Sequence, residues 1–186
     1  MKNVFLILAA IIVSVTLVSF NPVPDEWHEY SVDNSIFTIL MPGKPEKKEK
    51  FVTSSLGELK VNILMLQPPE GTDDNLMYML SYTDYPIDHV NSDSTSLLEK
   101  LFDSFREGSI NAVNGKLLIE TIIDYKDYPG REEIVNFKYK NGLAITKIRY
   151  YIIKNRLYTL QVITLSAKNF NASIDKFMDS FKLTDE

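Results

Sequence analysis

The sequence predicts an α+β domain, an antiparallel β-sheet of about six or more strands with helices packed on both faces, that is, an α/β/α sandwich. Three observations lead there. Apolar residues alternate with period two over most of the chain from residue 27 onward. The period changes to that of a helix twice, over 92–113 and 169–183. The run "RLYTLQVITLS" is apolar on both faces, with Tyr158, Leu160 and Val162 on one and Leu157, Ile163 and Leu165 on the other, so it must be covered on both sides.

The elements follow in order. "WHEYSV" and "IFTILM" read as strands joined by a turn at Asp33-Asn34-Ser35, and Pro42-Gly43-Lys44-Pro45 ends the second. "EKFVTSS" and "ELKVNILMLQ" form a pair around Gly57, "PPEGTDD" is a surface loop, and "NLMYMLSYTDY" is the next strand. Leu97, Leu98, Leu101, Phe102 and Phe105 then fall on one helical face, with Ser96 and Glu99 spaced as a capping box and Asn114-Gly115 closing the helix. Four strands follow: "KLLIETIIDY", "REEIVNFKYK", "GLAITKIRYYIIK" and "RLYTLQVITLS". Asn141-Gly142 is a type I′ hairpin signal, and Asn155 serves the next turn in the same way. In "EEIVNFKYK" the face of Val135, Phe137 and Tyr139 is expected to be buried and the other mostly wet. A final stripe of Phe170, Ile174, Phe177, Met178 and Phe181 predicts a helix that docks on the domain.

The first residues stand apart. One lysine, an uncharged apolar run, and then "NPVPDEW" have the order of a secretory signal over residues 1–19, cleaved after Ser19 or kept as an uncleaved anchor. Residues 20–26 then form a short linker, and 27–186 a single domain, exported to the periplasm, the cell envelope or the medium. The chain of 186 residues has no cysteine, which excludes disulfides, thiolate metal sites and the lipid anchor of a lipoprotein. A net charge of −5 argues against nucleic acid as a partner. The Lys-rich "GKPEKKEKF" is interrupted by Glu46 and Glu49 and reads as a solvated edge.

An aromatic first strand with "IFTILMPGKP", a helix in mid-chain, a Tyr-Pro-Gly-Arg-Glu turn into a meander, and an ending of "NRLYTLQV" and "FMDSFKL" together resemble the superfamily of PsbP-like and Mog-type domains. The likeness spans about residues 27–183. It implies an antiparallel sheet sandwiched by helices and a binding or accessory role. In that superfamily one kind attaches to the lumenal face of photosystem II and another binds a nuclear GTPase. Many bacterial members are lipoproteins, and the missing cysteine departs from that pattern.

The most charged candidate is Arg131-Glu132-Glu133 after Tyr128-Pro129-Gly130. Successive strand side chains point to opposite faces, so Glu132 and Glu133 cannot converge on one bond as a glycosidase pair must. Arg131 and Glu133 share a side. They read as an ion pair closing the rim of the core, or as a site where Arg131 takes a carboxylate or phosphate. On the structural reading Glu132→Ala is nearly silent and Arg131→Ala is the costlier change. Tyr82, Tyr85, Tyr125 and Tyr128, near strand ends, are expected to be exposed and to suit a protein partner. The loop carrying Asp84, Asp88, His89 and Asp93 is the alternative metal or ligand site, though it lacks the calcium-loop spacing. No G-x-S-x-G elbow or phosphate-cradling glycine loop occurs.

The expectation is therefore a non-catalytic, exported binding or accessory domain of the cell envelope that acts through protein contacts and uses no cofactor. Its membrane contact is limited to an uncleaved N-terminal segment. The alternative is an envelope enzyme or metal-dependent binder using the Asp84–Asp93 loop.

Overall fold

The computed structural model describes residues 27–32, 37–54, 56–93 and 95–184. The expected signal and linker, the turn at Asp33–Ser35 and the Ser96 half of the capping box lie outside the described residues and side chains. Ten strands and two helices follow in the order β1 (His28–Tyr30), β2 (Phe37–Met41), β3 (Glu46–Ser54), β4 (Gly57–Leu66), β5 (Asn75–Asp84), α1 (Thr95–Val113), β6 (Lys116–Tyr125), β7 (Tyr128–Tyr139), β8 (Gly142–Ile153), β9 (Arg156–Leu165), α2 (Ala172–Met178) and β10 (Lys182–Leu183). Seven strands form one antiparallel sheet in the order β3-β4-β5-β9-β8-β7-β6, and three form a second, β1-β2-β10.

The sandwich with helices on both faces is corrected by this arrangement. The molecule is mostly strand. On one face of the seven-stranded sheet, α1 lays Leu98, Leu101, Phe102 and Phe105 on Ile148, Tyr150, Ile152 and Leu157. The opposite face is covered by the second sheet, whose β2 buries Phe37, Ile39 and Met41 against Tyr78, Leu80, Tyr158 and Leu160. Only a seven-residue helix, α2, packs beside it. The C-terminal stripe was expected to be one helix, and α2 carries Ile174, Phe177 and Met178 of it, all buried, while the two ends of the stripe lie outside the helix. Phe170 lies ahead of α2 and is 95% exposed, and the chain leaves the helix at Met178, so that Lys182 and Leu183 pair with Thr38 and Phe37. Phe181 is buried by this bend, stacked on Tyr151 with ring centroids 6.0 Å apart. Leu97, assigned to the buried face of α1, is exposed.

Turn positions shift for a related reason. Tyr128-Pro129-Gly130 is not the turn: β7 has already begun, and the link from β6 is Lys126-Asp127, at φ of 48° and 70°. Gly130 is needed there because a Cβ would sit 2.5 Å from the Tyr150 carbonyl oxygen. At the β7–β8 hairpin Tyr139 pairs with Gly142, and the positive φ falls on Lys140.

The start of α2 is fixed by side-chain amides. The Asn171 Oδ1 accepts from Ile174 N, while Asn171 and Asn75 exchange hydrogen bonds of 2.9 and 3.0 Å. Asn75 also donates to the Tyr78 hydroxyl at 2.7 Å, and Tyr78 donates to Asp73. Asn171→Ala removes the cap and strands the buried Asn75 amide, so it is expected to cost about 2 kcal/mol, measured by thermal or urea unfolding. A loss below about 0.5 kcal/mol would show that the network contributes nothing.

Candidate functional site

Strand pairing brings side chains from distant parts of the chain into rows on the α1 face. Ile63, Ser81, Thr159, Tyr150 and Arg131 make one row, and Met65, Met79, Gln161, Ile148 and Glu133 the next. α1 covers the β7–β8 side of these rows, and its C-terminal half and the floor formed by β4, β5 and β9 bound a cleft of about 450 Å³. Its lining is apolar for the most part, including Val61, Met77, Met79, Phe105 and Ile163. Ser81, Thr159 and Gln161 supply neutral polar groups, and Gln161 Nε2 donates to Thr146 Oγ1 at 2.9 Å.

Behind the wall of this cleft lies Glu133, which is 0% exposed. Its Oε2 is 2.7 Å from Ser109 Oγ, and its Oε1 has no hydrogen-bond partner. Burial pushes its carboxyl up to about 7; the Ser109 bond and the Arg106 charge oppose that rise, and Glu120 adds to it. Ser109 Oγ also lies 2.9 Å from the Arg106 carbonyl. Its single proton can serve only one acceptor, which suits a protonated Glu133 donating to Ser109 while Ser109 donates to Arg106. Tyr150, against the same hydroxyl, is held well above its ordinary value by burial. The signal for this site in the sequence is Ser109 itself, a polar residue four after Phe105 on the apolar stripe of α1.

The structure separates the two residues expected to pair. Arg131 and Glu133 do share the buried face of β7. Arg131, however, binds Glu99 of α1, with Nη2 at 2.6 and 2.8 Å from its two carboxylate oxygens. The guanidinium also lies 4.7 Å from the Phe102 ring centroid and donates to the Gly130 carbonyl. It is a clasp between α1 and the sheet. Glu132, on the other face, joins Arg149 and Lys147 at 2.6 and 3.4 Å.

The tyrosines do not form an exposed patch. Tyr85 is buried on the α1 side, while Tyr82, Tyr125 and Tyr128 are partly buried against the opposite core. Tyr82 packs on Phe37 and lies under Arg156, and the Tyr125 hydroxyl accepts from Leu183 N. Within the proposed metal loop Asp84 is taken by Arg156, at 2.5 and 2.8 Å, and Asp88, His89 and Asp93 are exposed. Among the described residues no three His, Asp or Glu side chains gather as a metal site.

A second feature lies at the margin of the main sheet. β3, one edge, reads "EKKEKFVTS" and is guarded by charge. β6, the other, has Leu118, Ile119 and Ile122 exposed, Ile122 by 76%, and no strand among the described residues pairs with its outer side.

No family model matches the chain, and no curated protein matches its sequence. Among solved structures, that of cyanobacterial PsbP (CyanoP) from Synechocystis sp. PCC 6803 is similar over 90% of this chain and 98% of its own, with a TM-score of 0.59 and 12% sequence identity. PA94 of Pseudomonas aeruginosa, a protein of unknown function and putative regulator, covers 76% of this chain and 85% of its own at a TM-score of 0.42 and 8% identity. The fold is PsbP-like. Among the described residues no helix is long and apolar enough to cross a membrane.

Proposed function

With the PsbP-like fold as premise, we propose that this protein is an exported, non-catalytic accessory domain of the cell envelope that binds a protein partner through the β6 edge. The observation that carries the reading is the asymmetry of the two sheet edges. β3 repels an added strand with lysines and glutamates, whereas β6 offers ten residues of edge with Leu118, Ile119 and Ile122 exposed. An incoming extended segment would gain main-chain hydrogen bonds from the edge and apolar contacts from these side chains. The non-catalytic part of the reading is supported by what the charged residues do: Arg131, Glu132, Asp84 and Arg156 are each engaged in ion pairs that tie the fold together.

Crosslinking in the native envelope tests this. The wild-type protein is expected to give a discrete adduct that disappears in the Leu118→Glu/Ile122→Glu variant while the unfolding temperature stays within a few degrees. The same adduct at the same yield in both would remove the β6 edge from the reading.

A further inference from the structure

We propose that the cleft between α1 and the sheet binds an uncharged lipid-like molecule, a single acyl or prenyl chain bearing one neutral carbonyl or hydroxyl group. The site is separate from the β6 edge. Its size comes first: at roughly 30 Å³ per non-hydrogen atom, the share of a molecule in liquid water, about 450 Å³ holds about fifteen such atoms. That falls within the range of small-molecule sites and suits a chain of a dozen carbons with a polar end.

Chemistry narrows the class. Lys138 is the single charged residue among the described ones lining the cleft, and it is exposed near the end of β7. A charged group drawn inside would lose its water with no opposite charge to meet it. The polar groups that stand on the floor are neutral: the Ser81 and Thr159 hydroxyls, directly paired across β5 and β9, and the Gln161 amide. The Nε2 of Gln161 is committed to Thr146, which fixes the amide's orientation and leaves its carbonyl oxygen as an acceptor for a ligand hydroxyl. Around these lie Met77 and Met79, unbranched side chains that adapt to a flexible chain.

A peptide is the disfavoured occupant. β4, β5, β9 and β8 are interior strands of the sheet, paired on both sides, so the floor has no free backbone edge. Each buried peptide unit would bring one donor and one acceptor to a cleft with few partners for them. A ligand with one polar end faces no such cost.

Nile red titrated into the purified protein is expected to show one saturable site. Dodecanol should displace it at least tenfold more effectively than laurate at pH 8. Ala112→Trp puts an indole into the cleft from a half-buried position on α1 and should weaken Nile red at least tenfold. Gln161→Leu, of nearly equal volume, should erase the preference for dodecanol over dodecane, so the inference stays testable if the tryptophan variant folds poorly. Unchanged Nile red affinity in a folded Ala112→Trp protein, or the absence of saturable binding, would overturn the site. Laurate equal to dodecanol would overturn the uncharged class. The Leu118→Glu/Ile122→Glu protein should bind Nile red as the wild type does, so this inference and the β6 reading can fail separately.

Discussion

Glu133→Gln is expected to raise the unfolding temperature by roughly 6–10 °C at pH 8 and to leave it nearly unchanged at pH 4. The carboxyl is wholly buried, one of its oxygens lacks a partner, and burial lifts it from 4.5 to about 7. Because the folded value lies above the unfolded one, the folded chain holds the proton more tightly. Stability from this group is therefore complete below about 4.5, declines as pH rises toward 7, and is level beyond. At about 1.4 kcal/mol per pH unit, the wild type loses about 3 kcal/mol across that window. Glutamine keeps a donor for the Ser109 hydroxyl and carries no charge to bury, so it avoids the loss. The difference between the pH curves of the two proteins is the quantity to measure. Parallel curves from pH 4 to 8 would mean that Glu133 is charged in the fold or reached by water.

Glu132→Ala should destabilise the protein by about 2–3 kcal/mol, against the near silence that its place beside a presumed turn suggests. Glu132 faces the α2 side, where Arg149 Nε lies 2.6 Å and Lys147 Nζ 3.4 Å from its carboxylate. Both cations are largely buried, and Arg149 reaches on to Asp179 at 2.6 Å, just past the end of α2. Breaking a buried pair by removing one partner costs about 3–5 kcal/mol, because the remaining charge is left in a poorly hydrated place. Here each cation retains a second carboxylate, Asp179 for Arg149 and Asp175 for Lys147, and the expected loss is correspondingly smaller. Chemical denaturation of Glu132→Ala, Arg149→Ala and the double variant measures it. The double variant should cost less than the sum of the two. A Glu132→Ala loss within about 0.5 kcal/mol would reduce the cluster to surface charge.

Much of the architecture was legible because strand and helix periods are local. The alternation of Val135 with its neighbours, the stripe of Leu98, Leu101, Phe102 and Phe105, and the charged run at Gly43–Phe51 each declared what faces water. The two apolar faces of β9 likewise demanded cover on both sides, and the structure supplies it. What covers each face is a different question, because an apolar surface accepts a sheet as readily as a helix. The pairing of Lys182 and Leu183 with β2, more than 140 residues away in sequence, decided that a second sheet would lie there and ended α2 early, while the Asn171 cap starts α2 after Phe170, which stays in solvent. Ion-pair partners were undetermined for the same reason. Arg131 and Glu133 share a face two residues apart, yet Glu99 descends from α1 onto the first and Ser109 onto the second. Sequence by itself determined the period and polarity of the longer strands, since these follow from backbone geometry. The partners of Arg131, Glu132 and Glu133, the cleft beside α1 and the bare edge of β6 were decided only by tertiary structure, because each depends on which distant segment arrives alongside.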